Sequence, residues 1–327
     1  MKTLVIGVGV IGSYLTHALC AAGNEVTVVA RGAWGETIRE NGLQLRHRLQ
    51  HRTTVDRPKV VDSIPEGGCW DVAFVVMSYT QIQAILPLLT RLNAPIMVLV
   101  GNNMQAEEMA RCLESDSTHP KEVLFGFQIS GGKRLADRAL IERFGQSGLD
   151  VGGLHHTPSE TAKNVLKALF SHTGYRLHWQ RDMQAYLRCH PAAVLPIAYL
   201  AYICGTDLRK STKKQRKAMI DASREAYARL RTAGIDIEPQ NSEWYYGAFL
   251  GRVLMHILYF IMAKTQIGEY IACAHCRSGV SEMERLDQDF IALLAGGDHT
   301  PMPAWNALRA ALPSWEALHE TYDRRKV

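Results

Sequence analysis

Short runs of apolar residues recur along the first half of the chain, at residues 3–6, 25–30, 71–77 and 95–100. Their length and nearly unbroken apolar character are typical of strands buried on both faces of a parallel sheet. Helical periodicity follows the first run, with apolar positions on one face of residues 13–22. Alternating strands and helices predict an α/β fold with a doubly wound parallel sheet of the Rossmann type.

Weaker strand patterns continue through the first half, and a helix is expected at about residues 159–172. The shorter strands are predicted at residues 43–46, 59–61, 123–128, 139–144, 150–152 and 176–179. The strand pattern then disappears, and helices are predicted at about residues 213–233, 241–264 and 279–295. The sequence therefore predicts two domains: a nucleotide-binding domain over residues 1–179 and an all-helical domain over residues 180–327, for substrate binding and dimerisation.

A glycine motif, Gly7-x-Gly9-x-x-Gly12, lies between the first strand and the first helix. The first glycine permits a tight turn, the second lets the backbone approach a pyrophosphate, and the third lets helix and strand pack closely. The N-terminus of the helix attracts phosphate through its N–H groups and its dipole. The motif predicts a dinucleotide-binding loop made of Gly7, Val8, Gly9, Val10, Ile11 and Gly12.

The end of the second strand indicates which dinucleotide is bound. Enzymes that use NAD usually carry an acidic residue there, which binds the ribose 2′-hydroxyl. This chain instead has Arg31, followed by Gly32. A guanidinium group can bind a 2′-phosphate with two hydrogen bonds, so the sequence predicts NADP(H). The alternative is a solvated loop arginine with no ligand.

Two further strand ends are expected at the same site, because ligands of doubly wound sheets bind beyond the carboxyl ends of the strands. Met77 and Ser78 follow the strand at residues 71–77, and Asn102 follows the strand at residues 95–100. We predict that all three residues contact the cofactor.

The glycine motif, Arg31, the turn Gly101-Asn102-Asn103-Met104 and the helical second half together resemble the ketopantoate reductase family. The resemblance implies an NADPH-dependent enzyme that reduces 2-dehydropantoate to pantoate by hydride transfer. It also implies that Asn102 lies near the nicotinamide and the substrate. Pro196 corresponds to the proline of an Asn-Pro pair in the first helix of the family's second domain.

Several polar positions of the family are changed in this chain. The catalytic lysine falls on Leu187, and a second lysine falls on Ser78. The motif glutamate falls on Gln266, with Glu269 as a substitute after a short shift. Two asparagines and a substrate-binding serine fall on Pro191, Leu195 and Leu254. A site that has lost polar partners discriminates against hydroxyl-bearing substrates, which favours a 2-oxo acid more apolar than 2-dehydropantoate.

His190 is the candidate proton donor, because it lies one helical turn from Leu187 and a histidine titrates near neutral pH. The alternative is a histidine that only packs in the helical domain. Glu269 is a weaker candidate, as a second carboxylate or as the group that orients the histidine. The site residues proposed for chemistry are therefore His190, Asn102 and Glu269.

Composition narrows the partners of this 327-residue chain, which carries a formal net charge of +5. The mild charge suits an anionic cofactor and a small carbonyl substrate. The basic stretch 209–217 lacks interleaved aromatic residues and is predicted to be a solvated helix start, not a nucleic-acid site. Charged and glycine residues interrupt the apolar stretch 244–263, which is predicted to be a buried core helix and not a membrane span.

Seven scattered cysteines, an odd number, predict reduced thiols and a cytoplasmic protein. The pair Cys273 and Cys276 lacks a second pair to complete a zinc site, so no metal is expected. The oligomeric state stays open, with a homodimer as one option. A second function also stays open: an NADP(H)-binding protein without turnover that acts as a redox sensor or scaffold.

Overall fold

The computed structural model describes residues 1–128, 130–143, 145, 147–296 and 300–323. The chain divides into two compact units, Met1–Gln184 and Ala185–Val327. The sequence pattern placed this division after residue 179, where the last strand ends.

The first unit contains all the strands of the described chain and five complete helices. In chain order they are β1 (Lys2–Ile6), α1 (Val10–Ala21), β2 (Glu25–Val29), α2 (Gly32–Asn41), β3 (Leu43–His47), β4 (Arg52–Asp56), β5 (Lys59–Val61), β6 (Val72–Val76), α3 (Tyr79–Leu89), β7 (Ile96–Val100), α4 (Ala106–Ser115), β8 (Glu122–Gln128), β9 (Gly131–Arg134), β10 (Ala139–Glu142), β11 (Gly148–Gly152), α5 (Glu160–Leu169) and β12 (Arg176–Trp179). The predicted strand 139–144 thus ends at Glu142, and Phe144 lies outside the described residues.

Eight strands form the main sheet, in the order β12-β11-β8-β7-β6-β1-β2-β5. All neighbours are parallel except β11, which runs antiparallel to β8. The strands β6 and β7 are buried at every position, as their apolar sequences predict. The chain moves outward from β1 to β2 in one direction and from β6 to β7 in the other, which confirms the doubly wound Rossmann-type architecture.

A second sheet of four strands, in the order β4-β3-β10-β9, was not predicted. The strand β4 has the sequence Arg-Thr-Thr-Val-Asp and β9 has the sequence Gly-Gly-Lys-Arg, so neither shows an apolar run. The strand β4 pairs with β3, and β9 pairs with β10. In β3 and β10 the side chains alternate between the two faces of the sheet. Their buried residues include Leu43, Leu45, Ala139 and Ile141. Tertiary pairing therefore forms strands that local composition does not specify.

The described residues of the second unit form helices and connecting loops and contain no strand, as predicted. Its elements are α6 (Met183–Cys189), which crosses the division, α7 (Pro191–Ile203), a short 3-10 helix (Leu208–Lys210), α8 (Lys213–Thr232), α9 (Trp244–Gly247), α10 (Phe249–Lys264), α11 (Gln266–Gly268), a π-helical turn (Glu269–Cys273), α12 (Ala274–Ser278), α13 (Val280–Ala295), α14 (Pro303–Ala310) and α15 (Trp315–Tyr322). Across the described ranges, none of these helices has both the length and the hydropathy that crossing a bilayer requires.

The prediction of a buried core helix over residues 244–263 is wrong. The stretch forms α9 and α10, and only one side of α10 is buried, at positions such as Met255, Tyr259 and Met262. The opposite side carries large apolar residues that are 39% to 85% exposed. Hydropathy indicates how apolar a helix is, but it does not indicate which neighbouring element covers each face.

Candidate functional site

Four parallel strands bring the predicted cofactor residues to one edge of the main sheet. In register, Ile6 at the end of β1 pairs with Val29 of β2 and with Val75 of β6. Val76 at the end of β6 pairs in turn with Val100 of β7. The loops that follow these strands therefore start side by side, and they contain the glycine motif, Arg31, Met77, Ser78 and Asn102.

The three motif glycines differ in what surrounds them. Gly7 has a φ of +98°, and a Cβ there would lie 2.3 Å from the carbonyl oxygen of Val76. A Cβ on Gly12 would lie 2.0 Å from the carbonyl oxygen of Gly7. A Cβ on Gly9, in contrast, would have no atom within 4 Å. Gly7 and Gly12 are thus required by the fold, whereas Gly9 leaves open space where a pyrophosphate can approach the backbone.

The helix α1 begins directly at this open space. Its N-cap is Gly9, no side chain caps its first N–H groups, and its first turn holds no acidic residue. Uncapped N–H groups and the positive end of the helix dipole favour an anion. The residues present therefore fit the phosphates of a dinucleotide.

Arg31 is exposed and is the N-cap of α2. The first turn of α2 also lacks an acidic residue. A guanidinium beside a helix N-terminus offers both charge and N–H donors to a phosphate. The position suits the predicted contact with a 2′-phosphate, which stays a prediction.

Trp34 is a residue of this site that the sequence did not reveal. Its indole Nε1–H donates a hydrogen bond of 2.8 Å to the carbonyl oxygen of Val8, within the glycine motif. The guanidinium carbon of Arg134, on β9, lies 5.6 Å from the centre of the indole ring. The first turn of α2 is thereby tied to the glycine loop, and a second cation lies beside it. No sequence motif signals the hydrogen bond between Trp34 and Val8, which are 26 residues apart. The contact with Arg134 depends on β9 of the unpredicted second sheet.

In the loops after β6 and β7, nearby side chains accept hydrogen bonds from backbone N–H groups. Ser78 precedes α3, and its N–H donates to Oε1 of Gln81 over 3.3 Å. After Gly101, whose φ is +137°, Asn102 is 9% exposed. The side-chain oxygen of Asn103 accepts from the N–H of Gln105 over 2.9 Å. Asn102 is thus held in a structured turn at the sheet edge, and its contact with a nicotinamide stays a prediction.

His190 lies in the second unit, at the N-terminus of α7. Its half-buried ring is stacked on the ring of Tyr186, with 6.2 Å between the ring centres. Burial, and to a smaller extent the nearby His275, lowers the pKa of His190 from 6.5 to about 4. The imidazole is therefore neutral at pH 7 in the protein alone. Its predicted role as a proton donor is not tested by this geometry.

Glu269 also lies in the second unit, where it forms an ion pair with Arg277. Arg277 donates a further hydrogen bond to the carbonyl oxygen of Thr206 over 3.1 Å. The carboxylate is therefore oriented by a cation of its own unit. Its proposed function as a second catalytic carboxylate stays a prediction.

The positions where the family resemblance implies polar substrate contacts differ in burial. Leu187 and Leu195 are 2% and 0% exposed, so both belong to the core of the helical unit. Leu254 lies on the exposed side of α10. Leucine side chains at the two buried positions offer no hydrogen bond to a substrate.

Comparison with known proteins identifies the first unit. Residues 3–154, which include the glycine motif, Arg31 and Asn102, match the family model described as Ketopantoate reductase PanE/ApbA. The chain carries a PanE/ApbA ketopantoate reductase domain. The resemblance predicted from the sequence is thereby confirmed. No curated protein sequence matches the chain significantly.

Solved structures share the PanE/ApbA fold over nearly the whole chain. A PanE/ApbA family ketopantoate reductase from Ralstonia eutropha is 18% identical, with a TM-score of 0.70 and coverage of 99% of this chain and 100% of that chain. A 2-dehydropantoate 2-reductase from Porphyromonas gingivalis is 17% identical, with a TM-score of 0.63 and coverage of 95% and 98%. A D-mandelate dehydrogenase solved with NADH and anilino(oxo)acetate is 13% identical, with a TM-score of 0.65 and coverage of 99% of both chains. At these identities the similarity establishes the fold.

Proposed function

We propose that the chain is a cytoplasmic NADPH-dependent reductase that converts a 2-oxo acid to the 2-hydroxy acid. The observation that carries the proposal is the open space at Gly9, between two glycines that the fold requires, within a PanE/ApbA ketopantoate reductase domain. The seven cysteines are all free thiols, which supports a reducing compartment.

Different residues of the chain bind the cofactor and orient the substrate. The N–H groups at the start of α1 bind the pyrophosphate, and Arg31 binds the 2′-phosphate. Asn102 orients the substrate carbonyl with its side-chain amide. The bound nicotinamide supplies the hydride. A proton must then reach the new alkoxide, and we assign it to His190 or to a water molecule that His190 orders.

We infer that the substrate is more apolar than 2-dehydropantoate. Leu187 and Leu195 stand where the resemblance implies polar contacts, and a substrate hydroxyl buried without a partner costs about 1–3 kcal/mol of binding free energy. A structural relative, D-mandelate dehydrogenase, was solved with an aromatic 2-oxo acid derivative, anilino(oxo)acetate. This complex supports the inference that a protein of this fold can bind an apolar 2-oxo acid.

The experiment that tests the proposed function measures NADPH oxidation with a panel of 2-oxo acids, from 2-dehydropantoate to branched and aromatic analogues. We expect an apolar 2-oxo acid to reach a kcat/KM of about 10⁴ M⁻¹s⁻¹ or more, a usual value for enzymes, and 2-dehydropantoate to fall below it. Turnover of 2-dehydropantoate at that level would refute the substrate assignment. If NADPH binds but no 2-oxo acid of the panel causes its oxidation, the proposal that the protein reduces 2-oxo acids would be refuted.

The cofactor assignment is tested by replacing Arg31 with alanine. We expect the wild-type protein to bind NADPH at least tenfold more tightly than NADH, about 1.4 kcal/mol, because only NADPH carries a 2′-phosphate that can bind the guanidinium. Arg31→Ala should remove most of this difference, as measured by fluorescence titration. Arg39→Ala is the matched control, because Arg39 belongs to the same helix but pairs with Asp62. Equal wild-type affinities for both cofactors would refute the assignment.

One observation favours the second function, an NADP(H)-binding protein without turnover. The position that corresponds to the family's catalytic lysine is Leu187, which is buried and cannot move a proton. If NADPH binds but the whole panel stays unreduced, a redox sensor or scaffold becomes the better description.

A further inference from the structure

Arg134 is an exposed cation that the second sheet places beside the glycine motif. It lies on β9, the edge strand of that sheet, and its guanidinium carbon is 5.6 Å from the centre of the Trp34 ring. The same indole donates its N–H to the carbonyl oxygen of Val8. Arg134 is thus held next to the first turn of α2, whose N-cap is Arg31, by a residue that is itself bonded to the glycine motif.

The register of β9 determines the direction of the Arg134 side chain. Arg134 lies opposite Ala139 of β10, and two positions earlier Gly132 lies opposite Ile141. Residues opposite each other in an antiparallel pair share one face of the sheet, and both residues of β10 are fully buried. A Cβ on Gly132 would lie 2.8 Å from a methyl carbon of Val10, at the start of α1. Arg134 is therefore on the sheet face that packs against the start of α1.

The neighbouring cation, Lys133, has the opposite orientation. It is also exposed, and it lies opposite Leu140 of β10. Because successive side chains of a strand point to opposite faces, Lys133 points away from α1. The two adjacent cations of β9 thus differ in whether they face the glycine motif.

Arg134 takes part in no ion pair within the residues that the structure describes. Two other arginines nearby do have acidic partners: Arg39 of α2 pairs with Asp62, and Arg138, in the turn after β9, pairs with Asp137. A guanidinium is always charged and has five N–H donors. Its position over the indole of Trp34 uses none of these donors as a hydrogen bond. The charge and the donors of Arg134 are therefore available to an anionic ligand.

The first residue of α2 leaves room for such a ligand. Gly32 has a φ of +59°, and a Cβ there would have no atom within 4 Å. The first turn of α2 also holds no acidic residue. A phosphate monoester carries a charge of about −1.5 to −2 at pH 7, so the single charge of Arg31 does not neutralise it. A second cation is needed to balance a 2′-phosphate at this position.

We propose that Arg134 is a second residue that selects NADPH. Arg31 binds the 2′-phosphate from the end of β2, and Arg134 binds it from β9 of the second sheet. The indole of Trp34 orders the Arg134 side chain before the coenzyme binds, which lowers the entropic cost of binding. The inference rests on the proposed binding of NADPH, and it does not depend on turnover of a 2-oxo acid.

The test makes the same substitution at two adjacent cations. We expect Arg134→Gln to weaken NADPH binding about fivefold or more, about 1 kcal/mol, and to leave NADH binding unchanged, because NADH has no 2′-phosphate. Lys133→Gln is the matched control on the opposite face and should leave both affinities unchanged. Fluorescence titration gives the dissociation constants, and thermal melting verifies the fold of each variant.

Two nucleotides without a nicotinamide ring locate the effect. Adenosine 2′,5′-bisphosphate and adenosine 5′-phosphate differ only in the 2′-phosphate. By isothermal titration calorimetry, Arg134→Gln should weaken binding of the bisphosphate and leave binding of the 5′-phosphate unchanged. This readout does not involve hydride transfer.

Several results would overturn the inference. Equal losses of NADPH and NADH affinity in Arg134→Gln would show that Arg134 only supports Trp34. Unchanged NADPH affinity, or an equal loss in Lys133→Gln, would also overturn it. If the wild type prefers NADPH and Arg31→Ala removes the preference, these results refute the role of Arg134 alone. Equal wild-type affinities for NADPH and NADH would instead refute the cofactor assignment, and this inference with it.

Discussion

Replacing Gly9 with alanine is expected to abolish dinucleotide binding and to leave the fold intact. The backbone of Gly9, at φ −75° and ψ −159°, suits any residue, and a Cβ there meets no protein atom within 4 Å. The methyl group would instead occupy the space where we propose that the pyrophosphate binds. We expect NADPH affinity to fall at least 100-fold, about 2.7 kcal/mol, in a titration of the purified protein. The melting temperature should change little, because alanine at an N-cap costs at most about 1 kcal/mol relative to glycine.

Two further glycines give the controls for this variant. Gly247→Ala also places a methyl group in open space, but in the helical unit, and should leave NADPH affinity unchanged. Gly12→Ala would bring a Cβ within 2.0 Å of the carbonyl oxygen of Gly7, so it should lower the melting temperature itself. Wild-type NADPH affinity in Gly9→Ala would show that the dinucleotide does not bind at this loop.

Replacing His190 with glutamine should lower kcat by about 10²–10⁴-fold if His190 delivers the proton, since this is the usual contribution of a general acid. NADPH affinity should not change. The role requires the imidazole to come within reach of the substrate oxygen, directly or through one water molecule. The carboxylate of a 2-oxo acid would also have to raise its pKa from about 4, because a nearby anion favours the protonated ring. His256→Gln, on α10, serves as the matched histidine control.

The pH dependence separates this role from simple packing. A rate that needs protonated His190 rises as the pH falls from 7 to 5, and this rise should vanish in the glutamine variant. If His190 only packs in the helical unit, the signature lies in the stability of the protein. Folding lowers the pKa of His190 from 6.5 to about 4, so between these pH values the unfolded state binds more protons than the folded state. The free energy of unfolding then decreases as the pH falls toward 4, and glutamine removes this decrease. A lower melting temperature with kcat near wild type would leave His190 as a packing residue of α7.

The Rossmann-type half could be predicted because its signals are local. A buried parallel strand is apolar along its whole length, as β6 is, and each motif glycine has a backbone reason to be glycine. The second sheet could not be predicted, because β4 and β9 are polar and depend on pairing with β3 and β10. The exposure of α10 escaped prediction for a related reason: an apolar helix has the same composition whether its second face meets a core or a partner.

The hydrogen bond from Trp34 to Val8 has a consequence for redesigning the coenzyme preference. If Arg31 selects NADPH, as we propose, a change to NADH requires replacing the residues after β2, where Arg31 lies. That segment is joined to the glycine motif by a hydrogen bond, because the indole Nε1–H of Trp34 donates to the carbonyl oxygen of Val8 over 2.8 Å. A graft of residues 31–33 from a NADH enzyme can therefore succeed only while the indole stays in place. A longer graft that also replaces Trp34 would lower the binding affinity for NADPH and for NADH to a similar extent.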